Sequence, residues 1–332
     1  MICFARLHAS ASSSQPQIPL QQRLAAAGLA DWQAFCQPRY SALASKSEVE
    51  SMAAKIVELC REGLTAGDIE QLFQQSRASW TSDLQQVFLP NMAYLRGLLA
   101  GESIVPAPYE PPRLTPLGRL LRNQPAKMGE LLNRSLGRIL EVESWLCGEL
   151  GLSRKQLAQS VLKQPLALVL SLGTSKSVLT FLTQELGVSS DQAVDLFLKD
   201  AALYSNSPDT LARKCGQLAQ LLKLSSVGAL VVRQPRVLRL DMAQLPSTLR
   251  ALDVLMGRDG AGVEMVLKSP IIIQISPLKF DRAVQQLINL GLDMDAVREL
   301  VSDNPDLLVK DLEGPVQQQK LQWAQEQLGW PL

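Results

Sequence analysis

The chain has 332 residues, 46% apolar and 20% charged, with 33 Lys and Arg set against 32 Asp and Glu, the balance of a folded protein with a large buried core. No apolar run nears the roughly 18 residues of a membrane span, and the five cysteines (Cys3, Cys36, Cys60, Cys147, Cys215) show no CxxC spacing, which argues for reduced core thiols rather than a zinc ribbon or disulfide framework. The single histidine, His8, lies near the N-terminus and no acidic pair stands out, so Ser-His, Cys-His and His-metal chemistry is removed from the body of the chain and no enzyme, metal or cofactor is expected.

Residues 1–30 contain Arg6 and Arg23 but no Asp or Glu, and a Ser/Ala/Gln-rich stretch runs from Ala9 to Gln17. This is the bias of an organelle transit peptide, and residues 1–47 are read as such a leader, with an ordinary tail as the alternative. Chloroplast and mitochondrion are not distinguished by it. From Glu48 onward the pattern turns helical: Met52, Ile56, Leu59 and Cys60, then Leu64, Ile69, Leu72 and Phe73. A further helix is expected over 84–99. Residues 105–112 hold four prolines (Pro106, Pro108, Pro111, Pro112) and cannot be helical. They read as a surface loop inserted between two helices of one unit.

Six apolar helix-like stretches then end in a stop centred on proline or its stand-in: Asn123-Gln124-Pro125, Lys163-Gln164-Pro165, Lys199-Asp200-Ala201, Arg233-Gln234-Pro235, Lys268-Ser269-Pro270 and Asp303-Asn304-Pro305. The centres lie 40, 36, 34, 35 and 35 residues apart, and the residue three positions on is always apolar (Met128, Leu168, Tyr204, Leu238, Ile273, Leu308). Counted backwards, Ser76 fills the same slot in a degenerate first unit. A Gly-apolar-Ser/Asp turn separates the two helices, as in Leu150-Gly151-Leu152-Ser153 and Leu186-Gly187-Val188-Ser189, with weaker copies at Leu222-Lys223-Leu224-Ser225 and Met256-Gly257. Leu328-Gly329-Trp330 is a last copy, closing the stack with one helix of another unit. A fixed period in this range means stacked units sharing one core. The expected architecture is an all-α helical-repeat solenoid of about seven units over residues 48–332, each two helices and a short third element.

The Leu-Gly-Leu-Ser turn followed about a dozen residues later by Lys/Arg-x-Pro-x-x-Leu resembles the mitochondrial transcription termination factor (mTERF) family, in its plant and algal organellar form. The best copy covers residues 150–168, with relatives at 186–204, 222–238 and 290–308, and the likeness extends from about residue 50 to the C-terminus. Tetratricopeptide and pentatricopeptide units share the period without placing this turn and stop in one unit. The resemblance implies a left-handed superhelix of three-helix units whose third helix is short and often 3₁₀-like. It also implies organelle import and binding of double-stranded DNA or structured RNA on the concave face, alongside organellar transcription or RNA-processing proteins.

The distribution of charge bears on that implication. Residues 48–112 hold 4 basic and 9 acidic side chains, residues 113–239 hold 17 and 9, and residues 240–332 hold 8 and 13. Positive charge is thus confined to the middle units, with acidic shoulders. There, Lys163, Lys199, Arg233 and Lys268 occupy one position, two before the stop, in four consecutive repeats. They would form a basic row suited to phosphate contacts that position a ligand without reading its sequence. Favourable placement near a helix C-terminus is the alternative account of each. Arg154, Lys155, Arg213, Lys214, Arg236 and Arg239 are additional candidates. The expected function is a monomeric organellar nucleic-acid-binding protein acting in transcription termination, its regulation or RNA processing. The competing reading is a protein-binding helical scaffold that has lost nucleic-acid binding, which the acidic end units favour.

Overall fold

The computed structural model describes residues 46–75, 82–100, 114–289 and 291–309. Residues 1–45 of the expected leader, the Ser76 slot, the insertion 105–112 and the terminal Leu328-Gly329-Trp330 copy lie outside the described residues. Among the described residues all regular structure is helical, arranged as seven successive helix pairs. Lys46–Arg61 pairs with Ala66–Gln75, and Leu89–Leu99 with Pro116–Asn123. Leu136–Gly148 is followed by Arg154–Lys163, and Leu172–Thr180 by Ser190–Lys199. Pro208–Leu222 is followed by Gly228–Arg233, Leu245–Met256 by Ala261–Lys268, and Pro277–Asn289 by Met294–Asp303. Five 3₁₀ helices close the later pairs: Pro165–Val169, Ala201–Ser205, Pro235–Arg239, Pro270–Gln274 and Pro305–Val309. The fold is an all-α helical repeat.

The described residues fall into two compact units, the first holding 46–75, 82–100, 114–143 and 157–169, the second holding 144–156, 170–289 and 291–309. In the first, Arg96 bridges Glu58 (2.8 Å) and the buried Glu62, and Arg122 pairs with Asp68 at 3.2 Å, tying the first helix pair to the second. In the second, the four 3₁₀ helices from Ala201–Ser205 to Pro305–Val309 stack one on the next.

The stop works by hydrogen-bond accounting. The N–H just before the proline slot closes the helix, as in Gln164 to Ser160 (2.7 Å), Asp200 to Leu196 (2.9 Å), Gln234 to Leu230 (2.9 Å), Ser269 to Met265 (2.8 Å) and Asn304 to Leu300 (2.9 Å). Proline then offers no donor. The N–H two places beyond the slot turns back to the residue before it, at 3.0 to 3.2 Å in all five repeats, and opens the 3₁₀ helix. This turn swings the repeated apolar residue inward: Leu168, Tyr204, Leu238, Ile273 and Leu308 are all buried, and so is Met128 in the preceding repeat. Burying one such side chain contributes about 1.5–3 kcal/mol. Tyr204 fits because its hydroxyl donates to the Ala193 carbonyl at 2.8 Å, while its ring meets Phe197 and Trp145 edge-on.

The helix-to-helix turn follows the expected chemistry. Gly151, Gly187, Gly257 and Gly291 take φ of +89°, +66°, +68° and +90°. The next N–H bonds back into the helix, as Leu152 to Leu146 and Val188 to Leu182, both 2.9 Å. Ser189 and Gln192 form a reciprocal capping box, and Asp293 accepts from the N–H groups of Asp295 and Ala296.

Two elements depart from expectation. After Pro125 the third element is an α-helix, Pro125–Leu132, because the Met128 N–H bonds to Gln124 (3.0 Å) four residues back, not three. Leu131 and Leu132 are buried in the extra turn, which contributes to the 40-residue spacing there. Within 84–99 the first turn, Leu84–Phe88, is π-helical. Pro90 lacks the N–H that would hold the Gln86 carbonyl, and Phe88 N–H reaches Asp83 instead, at 3.0 Å.

Candidate nucleic-acid interface

Lys163, Lys199, Arg233 and Lys268 are each the last residue of a second helix. In the second compact unit, three of them cross to the following repeat. The Lys199 ammonium donates to the Val232 carbonyl at 3.0 Å. Arg233 forks, Nη1 onto the Leu267 carbonyl at 2.7 Å and Nη2 onto the Lys268 carbonyl at 2.8 Å. Lys268 donates to the Ser302 carbonyl at 2.8 Å. Val232, Leu267 and Ser302 hold one position, three before the next proline slot. Their carbonyls belong to the last turn of a helix, where intrahelical donors have run out. Lys163, in the first unit, holds no side-chain hydrogen bond or ion pair among the described residues.

The remaining candidates separate into two groups. Lys214 donates to the Leu238 (2.7 Å) and Leu240 (2.9 Å) carbonyls, and burial, with Arg213 alongside, lowers its pKa. Arg239 holds the buried Asp200 carboxylate through Nη1 at 3.1 and 3.3 Å. Arg154, Lys155, Arg213 and Arg236 are exposed and carry no side-chain partner among the described residues. Arg154 and Lys155 form the first turn of Arg154–Lys163, where the helix dipole disfavours cations. The matching turns carry Asp191 and Asp295.

Three consecutive stops line a groove of about 450 Å³, from Arg233 through Lys268 and Ser269 to Asp303 and Asp306. The C-terminal ends of Gly228–Arg233, Ala261–Lys268 and Met294–Asp303 converge on it. Asp303 stands where the four preceding stops carry a cation, and Asp306 accepts from the Ser269 hydroxyl.

The sequence reading missed Gln124. In the first unit its side-chain amide donates to the Leu162 (3.4 Å) and Lys163 (3.3 Å) carbonyls, the same two positions that Arg233 serves further along. A long side-chain donor directly before a proline slot was the available signal. No group of His, Cys, Asp and Glu among the described residues could hold a metal ion, and no described helix is long and apolar enough to cross a membrane. No curated protein matches the chain. The mTERF family model matches residues 184–332, the region of the crossing cations Lys199, Arg233 and Lys268, and these residues belong to the mTERF family.

Proposed function

We propose that this chain is a non-enzymatic, organellar nucleic-acid-binding protein that holds double-stranded DNA or structured RNA by its phosphate backbone and acts in transcription termination, its regulation or RNA processing. The family match carries this reading, since mTERF proteins are generally nucleic-acid-binding regulators of organellar gene expression. The 17 basic against 9 acidic residues of 113–239 support it, as do Arg154 and Lys155, placed where helix stability alone would favour acids. Phosphate contacts are drawn from the ten cations above. Residues 1–47 direct import, into a chloroplast or a mitochondrion, and fusing them to a fluorescent reporter tests this.

The decisive experiment is a salt titration of the full chain with a DNA duplex and an RNA hairpin. Affinity should fall steeply between roughly 50 and 200 mM salt, with a log–log slope of about 0.9 per neutralised duplex phosphate. Absence of binding at the low end overturns the reading. It would leave the protein-binding scaffold, which the 13 acidic against 8 basic residues of 240–332 favour.

A further inference from the structure

We propose that Lys199, Arg233 and Lys268 are positioning residues that clip consecutive repeats together and do not touch phosphate, leaving the nucleic-acid backbone to cations without a partner among the described residues, Arg154, Lys155, Arg213 and Arg236 among them. The second half rests on the nucleic-acid reading; the first does not.

Each of these second helices stops at its proline slot, so the carbonyls of its last turn lack an intrahelical partner. The cation of the preceding repeat supplies one, at the same carbonyl position three times in succession: Val232, Leu267 and Ser302. In the first unit a neutral amide, Gln124, serves the equivalent Leu162 and Lys163 carbonyls. What recurs is therefore the donor to the carbonyl and not the positive charge. A phosphate-binding row would need charge at every step.

The groove along the stops argues the same way. Helix C-termini carry partial negative charge. Together with Asp303 and Asp306 they offset Arg233 and Lys268, so a phosphate placed there would meet carbonyl oxygens and carboxylates. Arg154, Lys155, Arg213 and Arg236 face no such compensation, being exposed and unpaired among the described residues.

The test uses full-length chains and two readouts, amide hydrogen exchange and the salt slope of DNA-duplex binding. A Lys199→Met, Arg233→Met, Lys268→Met triple variant should raise exchange in 228–233, 261–268 and 294–303 by roughly tenfold, reporting local opening, and leave the salt slope unchanged. Swapping the donors (Lys199→Arg, Arg233→Lys, Lys268→Arg) should restore protection. Replacing Arg154, Lys155, Arg213 and Arg236 with Gln should lower the slope by about 0.9 for each phosphate left without its cation and leave exchange unchanged. A lowered slope with unaltered exchange in the Met triple overturns the clip. An unaltered slope in the Gln variant overturns the assignment of phosphate-binding cations. If the parent chain binds no nucleic acid, the functional reading fails while exchange alone still decides the clip. Should the triple variant not fold, Lys268→Met alone must raise exchange in 294–303, and unchanged protection there overturns the proposal.

Discussion

Arg233 and Lys268 form a relay: the Arg233 guanidinium donates to the Lys268 carbonyl at 2.8 Å, and the Lys268 ammonium passes on to the Ser302 carbonyl at 2.8 Å. Lys268 is thus clipped by the repeat before it and clips the one after. Lys268→Met keeps the apolar stem and deletes the donor, which should destabilise the protein by about 1 kcal/mol. Lys163→Met, removing an ammonium with no partner among the described residues, should stay within about 0.5 kcal/mol of the parent. Chemical denaturation of the two variants side by side checks this, and equal losses would contradict it.

Lys223 is the non-glycine residue at positive φ (+52°) among the described residues, at the turn where four sister repeats use glycine. A left-handed conformation costs a side-chain-bearing residue roughly 1–2 kcal/mol. Glycine is free of that cost but loses more chain entropy on folding. Lys223→Gly should therefore raise stability by about 0.5–1 kcal/mol, the difference between those two effects, read as a higher melting temperature. A lowered melting temperature would mean that the Lys223 side chain contributes something its exposed position does not reveal.

The repeat was legible because its two punctuation marks act through the backbone. A proline deletes a donor and a glycine admits positive φ wherever they fall, so Pro235 and Gly187 could be read without knowing their neighbours. The apolar slot was legible for a similar reason, and even Tyr204 fell in phase. The helix after Pro125 was not, since a proline opens an α-helix and a 3₁₀ helix equally well. Only the packing of Leu131 and Leu132 selects the longer form. The partners of the row cations were hidden for a further reason. Sequence places Lys199 at the end of its own helix, whereas its acceptor, the Val232 carbonyl, lies 33 residues on. Gln124 escaped notice because it performs the task one position later and without charge.

Lys55 gives the protein a pH dependence of definite sign. It is fully buried, donates to the Ser82 carbonyl at 2.5 Å and lies 5.6 Å from the centre of the Phe88 ring. Burial pushes its pKa down to about 8 from the ordinary 10.5, against the pull of Asp83. Between those values the unfolded chain binds more protons than the folded one, so the Lys55 contribution to stability rises as pH climbs through that interval and is flat below about 8. Cys215, pushed up to about 11 by burial, acts in the opposite direction at alkaline pH. Lys55→Met isolates the lysine: the stability of the parent relative to the variant should increase from pH 8 to 10.5. A constant difference across that range would show that Lys55 titrates normally.

Arg154 and Lys155 offer the sharpest contrast between stability and function. In the first helical turn they oppose the dipole, whereas Asp191 and Asp295 complement it in sister repeats. Replacing both with Asp should stabilise the protein by about 0.3–1 kcal/mol per site, less at high salt. The same change should weaken nucleic-acid binding and lower its salt slope, by about 0.9 for each duplex phosphate no longer neutralised. Thermal melts and binding titrations on one preparation of each protein measure both. Residues kept for packing would lose stability on this substitution, and residues kept for nothing would leave affinity untouched. A gain in stability coupled to a loss of affinity is the outcome specific to cations held in place by a phosphate ligand.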